Sequence, residues 1–388
     1  MKEKGNLSKQ DLNQLLRELL SQTIGKLLEA ELEEFLGYKK HQRSDNPNSR
    51  NGYYHKHLKS QLGELQINVP RDRFSKFDPK LIPKGSKSLV EDLQHKLMLL
   101  YSKGLSTRDI QSILKDIYGI ELSPSTISRL TDRIIPEIKE WLSRPLEPVY
   151  TFLFIDCTFV KVRLEGRVKN AAVYTVVGIN PEGYKEILGF WILETESASH
   201  WVSVLNDLKS RGVEDVLVVV ADNLKGLEKA VRSVFPRADY QQCVVHKVRS
   251  SLRKVRYGDR KEVARDMRAI YTQPTEQMAR QKLEEFKSRW ESKYPQVIRE
   301  WEGDWEVITT FYRYPYEVRR CMSNTNLIES VYSKVKKVTD SKRVFPSEEA
   351  LMKVLYGVAL ELEDKWKRPV RDWELIRSQL EILFEGRL

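Results

Sequence analysis

Apolar residues recur at three- and four-residue steps from Leu12 to Leu36, through Leu15, Leu16, Leu19, Leu20, Ile24, Leu27, Leu28, Leu32 and Phe35. That spacing is the stripe of an amphipathic helix. No second helical pattern begins before about residue 89, so the segment 1–40 is expected either to self-associate or to cover the chain's own core. Residues 41–60 are polar and basic with interleaved aromatics, including Arg50, Asn51 and Tyr53, and read as a loop. Leu65, Ile67 and Val69 then alternate with polar residues up to Pro70, the period of a half-buried strand stopped by a residue that cannot donate to a ladder. With Arg71 and Arg73, residues 41–88 read either as a phosphate-contacting strip or as a solvated face.

Residues 89–146 carry a sharper pattern. Ser106 opens a capping box closed by Asp109, and Ile110, Ile113, Leu114 and Ile117 mark one helical face that Gly119 ends. A second start follows at Ser123, with Pro124 in the first helical position. Two short helices joined by a tight turn make a helix-turn-helix candidate. Ser125, Thr126 and Arg129 stand near the start of the second helix, the end that meets base edges in the major groove. Such pairs also serve as ordinary packing units.

Beyond Pro145 and Pro148 the pattern changes to strands, at Tyr150–Ile155, Ala171–Ile179 and Tyr184–Leu193. A helix follows over Ser199–Lys209. The unbroken apolar run Val216–Ala221 reads as a fully buried strand, followed by a helix over Leu224–Phe235 and a short strand at Tyr240–Val244. This alternation predicts a mixed sheet with helices around it, an α/β core whose first part spans 147–246. Residues 247–320 turn helical and strongly basic, through Lys247, Arg249 and Arg253, and read as an insertion. Helices over Asn324–Val338 and Glu348–Trp366 place residues 321–388 back in the core.

Composition narrows the partner. The chain has 388 residues, 40% hydrophobic, with 66 Lys+Arg against 55 Asp+Glu and a formal charge of +11. It is long enough for a sizeable core and several domains. The positive balance favours a polyanion, through the summed field and counterion release. Its apolar runs fall short of the roughly 20 residues of a spanning helix. The N-terminus shows no apolar stretch followed by a small-residue cleavage site, which predicts a cytoplasmic protein away from membranes. Three cysteines, Cys157, Cys243 and Cys321, are too few for a disulfide framework.

Two of the predicted strands end in an aspartate, Asp156 and Asp222. A desolvated carboxylate at a strand end is costly unless it binds a cation. Hard divalent ions take oxygen ligands, and two of them roughly 3.5 to 4 Å apart suit in-line displacement at phosphorus. Glu329 is the candidate third ligand. Taken singly, each acid also reads as a turn former or helix cap, and Asp222, before Asn223 and a helix, fits the cap role. Cys243 and His246 form a C-x-x-H pair that could suggest zinc, but no second pair lies near enough in sequence to complete four ligands. His200 and Trp201 read as core packing rather than base stacking. Trp305, Phe311, Tyr312, Tyr314 and Tyr316 read as helix packing, with stacking on unpaired bases the alternative.

Six strings occur in order: Arg50-Asn51-Gly52-Tyr53, Val69-Pro70-Arg71-Asp72-Arg73, Gly104-Leu105-Ser106-Thr107-Arg108, Asp222-Asn223-Leu224-Lys225-Gly226-Leu227, Gln242-Cys243-Val244-Val245-His246 and Thr325-Asn326-Leu327-Ile328-Glu329-Ser330. Together with Asp156, they resemble the bacterial Mutator-type insertion-sequence transposases across nearly the whole chain. The resemblance implies a ribonuclease H-like core interrupted by an all-helical insertion, with Asp156 and Asp222 from two strands and Glu329 from the helix after the insertion. It further implies an Asp-Asp-Glu site holding two Mg²⁺ ions, for which Mn²⁺ substitutes. The expected activity is cleavage and transfer of DNA strands at the terminal inverted repeats and at target DNA, by a nucleoid-associated homodimer. A nuclease or resolvase without strand transfer and a transposase-derived DNA-binding regulator are the rival readings. Cys243 and His246 are assigned to the core, supporting the site or close to DNA. Arg50, Asn51, Tyr53, Arg71, Arg73, Arg108, Ser125, Thr126, Arg129, Lys225, Lys247, Arg249, Arg253 and Asn326 are the candidate DNA contacts. Cys157 after the first aspartate, and Ser323-Asn324 before Thr325, depart from the family pattern.

Overall fold

The computed structural model describes residues 9–42, 45–60, 63–79, 81–82, 100–101, 104–118, 123–132, 134–323, 326–342 and 344–388. They divide into two units, Met1–Ile135 and Pro136–Leu388. In the first, the amphipathic stripe forms α1 (Lys9–Leu36), and β1 (Arg50–Ser60) pairs antiparallel with β2 (Gly63–Asp72). Leu20, Ile24 and Leu28 of α1 cluster with Leu58, Leu65, Ile67 and Val69 of this hairpin, while Leu32 and Leu36 cluster with Phe77. From Leu20 onward most of the stripe is buried against the chain's own hairpin and Phe77, while Phe35 is 46% exposed.

The loop expected at 41–60 is corrected: from Arg50 onward it is a strand. Its period was hidden because the half-buried positions before Leu58 are Tyr54 and Lys56, residues that bury a stem and keep a polar head. Gly52, at φ +68°, sits where the register slips between Arg50 and Tyr53. Pro70 does not end β2, because both strands of a two-stranded sheet are edges where a missing donor is tolerated. Asp72 closes the strand, buried, accepting from Asn48 Nδ2 at 2.8 Å and from the amides of Lys76 and Phe77 at 3.1 and 3.0 Å. Burial works to raise its carboxyl, but these bonds prevail and hold it below the ordinary range.

The capping signals at 106–132 are realised. The Ser106 hydroxyl accepts from the Asp109 amide at 3.1 Å and the Asp109 carboxylate from the Ser106 amide at 2.7 Å, opening α2 (Thr107–Tyr118). Ser123 accepts from the Thr126 amide at 3.1 Å and opens α3 (Pro124–Asp132). Ile110, Leu114, Ile127 and Leu130 are buried. The turn at Gly119 and the helical pattern near residue 89 lie outside the described residues.

The second unit opens within α4 (Ile135–Ser143) and is built on a five-stranded sheet. Its strands are β3 (Val149–Leu164), β4 (Arg167–Ile179), β5 (Lys185–Leu193), β6 (Asp215–Ala221) and β7 (Asp239–Gln242), in the order β5-β4-β3-β6-β7. β3, β4 and β5 form an antiparallel meander, and β6 and β7 run parallel to β3. Every residue of β6 is buried, which is why it reads as an unbroken apolar run. α5 (Ala198–Ser210) and α6 (Leu227–Val234) add Trp201, Leu205, Leu227 and Val231 to a core with Tyr150, Tyr174 and Val219.

One expectation is corrected here: β3 does not end at Asp156 but runs on to Leu164. The apolar run stops because the strand leaves the fully buried centre, its pattern turning half-exposed from Asp156 onward. Residues 244–323 are helical, comprising α7 (Val244–Arg253), α8 (Arg260–Tyr271), α9 (Glu276–Trp290), α10 (Pro295–Gly303), α11 (Trp305–Thr309) and α12 (Tyr316–Ser323) with two 3₁₀ turns. They share a core of Val263, Met267, Leu283, Phe286, Ile298 and Trp301. α13 (Asn326–Ser341) packs on β3, α14 (Glu348–Lys365) on β3 and β5, and α15 (Trp373–Leu383) on α12. Among the described residues no helix is long and apolar enough to cross a membrane.

Candidate active site

The last parallel pair between β3 and β6 is Ile155 with Ala221, so Asp156 and Asp222 are the next residue on each of two hydrogen-bonded strands. Asp222 is not a helix cap: α6 starts later, from Gly226 in a left-handed conformation (φ +84°). β7 ends at Gln242, opposite Ala221, and the Cys243 amide donates to Ala221 O at 2.7 Å. The chain turns at once into α7, with Cys243 Sγ accepting from the His246 amide at 3.4 Å as the cap. This tight exit sets the His246 ring on the strand end, with Nδ1 paired to Asp222 Oδ1. His246 Nε2 lies 4.0 Å from Glu329 Oε1, and Arg249 Nη1, one turn along α7, lies 2.6 Å from that oxygen. Glu329 thus reaches β6 through His246.

Burial first, and then the charge of Asp222, pushes Asp156 up to about 7, although the Cys157 amide bonds its Oδ1 at 2.7 Å. Hydrogen bonding to Asp222 raises His246 to about 10, against its own burial, so the imidazole is cationic through neutral pH. Two groups here were missed by sequence reasoning. Glu196, bonded by the Lys225 amide, is a further carboxylate whose charge reaches Asp156, and burial raises it. Tyr332, three residues after Glu329, stays protonated because its hydroxyl is buried and the charge of Asp156 reaches it. The i, i+3 spacing from Glu329 was the available signal for Tyr332; Glu196 gave none. Cys157, pushed up to about 12 by burial, is a neutral thiol packed on the core, which accounts for its tolerance beside Asp156.

Two donor sets overlap at this point. Ligand atoms of Asp222, Cys243 and His246 lie within 4.8 Å of one another, but among the described residues no fourth ligand is grouped with them. A closed zinc site needs four. Asp156, Asp222 and Glu329 offer oxygen alone, the set suited to a hard divalent ion. The repulsion that lifts Asp156 is what a bound cation relieves, so the carboxylates fit such an ion. His246 and Arg249 now hold oxygens on Asp222 and Glu329, so loading requires those contacts to yield.

The remaining candidates divide. Asn51, Arg71, Arg73, Arg108, Ser125 and Arg129 of the first unit are exposed. Arg50 is engaged with Glu33 at 3.4 Å and stacks on Tyr38, the Tyr53 hydroxyl bonds Glu29, and the Thr126 hydroxyl bonds Ser123 at 2.8 Å. Lys225 and Arg253 are exposed in the second unit, while the side chain of Asn326 lies outside the described residues. Two assignments change. Arg249 holds Glu329, and Lys247 is buried, donating to Asp304 at 2.6 Å and to Glu300 O at 2.9 Å. Asn223 bonds the same Asp304 oxygen at 3.1 Å, tying the Asp222 loop to the helical part. Lys247→Ala should cost about 1–3 kcal/mol in melting experiments, part of a buried pair's worth because Asp304 is partly exposed. It should also leave the salt dependence of DNA binding unchanged; a shallower slope would make Lys247 a phosphate contact.

The chain matches the family described as "Transposase, Mutator family" over residues 2–369. It is 40% identical to a probable transposase for insertion sequence element ISRM3-like from Sinorhizobium fredii, over 96% of this chain and 93% of that one. It is 38% identical to the transposase for insertion sequence element ISRM3 from Rhizobium meliloti, over the same shares. It is 35% identical to the transposase for insertion sequence element IS905 from Lactococcus lactis subsp. lactis, over 89% and 88%. Matched along almost its whole length, the chain belongs to the Mutator family of transposases.

Proposed function

We propose that this chain binds the terminal inverted repeats of its own insertion sequence, cleaves a phosphodiester there and joins the freed 3′-hydroxyl to another strand. The observation that carries this reading is the meeting of Asp156 and Asp222, from adjacent parallel strands, with Glu329 delivered through His246 from beyond the helical part. The sheet order β5-β4-β3-β6-β7, with its antiparallel meander, supports a ribonuclease H-like core. Asp156, Asp222 and Glu329 would hold two Mg²⁺ ions, which when bound supply Lewis-acid charge to the attacking and leaving oxygens of an in-line displacement. The protein's part is positional. Paired β3 and β6 fix the two aspartates, and His246 and Arg249 would give up the Asp222 and Glu329 carboxylates when the ions bind.

The exposed Arg71, Arg73, Arg108 and Arg129, with the α2–α3 pair, are the proposed DNA-recognition surface, and a homodimer the proposed assembly. A duplex ending in the element's pre-cleaved repeat, incubated with a plasmid and Mg²⁺, tests the reaction. Covalent end-to-plasmid products are expected. Hydrolysis without joining would make the protein a nuclease and overturn the proposal.

A further inference from the structure

A cavity of about 570 Å³ lies between the start of α7, which also carries His246, the end of α8, the 3₁₀ turn Thr310–Arg313 and α12. Its volume is in the range of sites that enclose a nucleotide-sized molecule. Its walls are largely apolar and aromatic, with Tyr271, Phe311, Tyr316 and Met322 among them. Tyr316 lines the cavity and is 69% exposed, so a large aromatic side chain here remains open to solvent. Trp305 and Tyr314, which share the aromatic run, are buried in packing.

Two polar features turn this cavity toward a specific ligand. Gln242, 2% exposed, lines it, and its Nε2 has no hydrogen-bond partner. A buried amide left unpaired costs free energy that a ligand's hydrogen bond recovers. The neighbouring Gln241 lines the cavity too, but its amide is satisfied by the carbonyls of Gln242 and Ile308 and by the Phe311 amide. Positive charge stands at the wall as well. Arg319 donates to the carbonyls of Tyr314, Pro274 and Tyr312, with no acid among those bonds. The first residues of α7, Val244 and Val245, present a helix N-terminus to the same space. A largely apolar, aromatic-walled space, one unpaired buried amide and positive charge at the wall together match a nucleobase still attached to its phosphate.

We propose that this cavity receives one unpaired base of the bound DNA, stacked on Tyr316 and Phe311 and read along its edge by Gln242. The inference rests on the proposed reaction at DNA ends. Placement supports it: Gln242 adjoins the cap of the helix that carries His246, and α12 precedes the helix that carries Glu329. A base drawn out here would leave the adjoining phosphate close to the carboxylates, and removing it from the stack would loosen the duplex where a strand must be cut.

The test uses the full chain and duplexes carrying the element's own end. 2-Aminopurine replaces each base next to the cleavage point in one series, and an abasic site replaces it in another. Binding should change the 2-aminopurine fluorescence at one position, and Tyr316→Ala should abolish that change. The same variant should cut the intact duplex about tenfold more slowly, the size of one base–aromatic stacking contact. On the abasic duplex, which offers no base to stack, it should match the wild type. Gln242→Met, of similar length and without the amide, should lose discrimination among bases at that position. Cleavage by the wild type without any fluorescence change, or equal loss by Tyr316→Ala on intact and abasic duplexes, would overturn the cavity proposal. A fluorescence change without cleavage would instead overturn the strand-cleavage reading and leave the cavity standing.

Discussion

Asp156→Asn is expected to abolish Mg²⁺-dependent strand cleavage while making the metal-free protein more stable. Removing one well-placed electrostatic group from an active site costs about 10²–10³ in rate, and a lost metal ligand at least that much. The stability effect has the opposite sign because the carboxylate is held up to about 7 by burial and by Asp222. A folded-state value above the unfolded one, near 4, means no penalty below about pH 4, a penalty growing as pH rises, and a full penalty above about pH 7. At pH 8 in chelator the asparagine variant should gain up to a few kcal/mol, and at pH 4 it should melt with the wild type. Adding Mg²⁺ should stabilise the wild type by mass action and narrow the gap. Thermal melts at both pH values, with and without Mg²⁺, read this directly. A variant that is no more stable at pH 8 in chelator would show that neither burial nor Asp222 lifts the Asp156 carboxyl, and retained cleavage would remove Asp156 from the chemistry.

Trp201→Ala should be the most damaging single change to the core. Trp201 is fully buried on α5, edge-on to Tyr174 at 4.3 Å between centroids. Tyr174 pairs with Cys157 across the β3–β4 register and bonds Thr195 O at 2.9 Å and the Ser197 amide at 3.1 Å. Truncation removes the indole's buried surface and leaves a cavity, at a cost of about 3–5 kcal/mol. Domains are stable by about 5–15 kcal/mol, so a fall in melting temperature of roughly 6–20 °C follows. Trp201→Phe should cost less than half as much, since the indole Nε1 has no partner and phenylalanine removes that orphan donor. If Trp201→Ala melted with the wild type and lost only DNA affinity, the residue would be a base-stacking platform instead of core.

Much of the scaffold was legible because it rests on local signals. The run at β6, the capping boxes at Ser106 and Ser123 and the stripe of α1 each sit within one element. β1 was not legible, since its inward positions carry Tyr54 and Lys56, whose polar heads mask their burial. The three acids were singled out through residue order, but the partners of the basic residues around them were not legible. Arg249 looked like a phosphate contact because sequence shows its charge and not its partner, Glu329, which comes from far along the chain. Lys247 misled for the same reason, its charge being matched by Asp304 inside the fold. Glu196 emerged only when the sheet brought the turn before α5 against β3.

The approach of His246 to within 4.0 Å of Glu329 also bears on how this protein can change over time. These two residues stand near the ends of the helical stretch, so its entrance and exit are almost in contact, and the sheet meets everything between as a closed loop. The entropy of closing such a loop grows only with the logarithm of its length, by about 0.6 kcal/mol per doubling. Whole helices could be added or removed there with little strain on the strands beneath. The segment is therefore a place where surface can be remodelled while the carboxylates stay where they are.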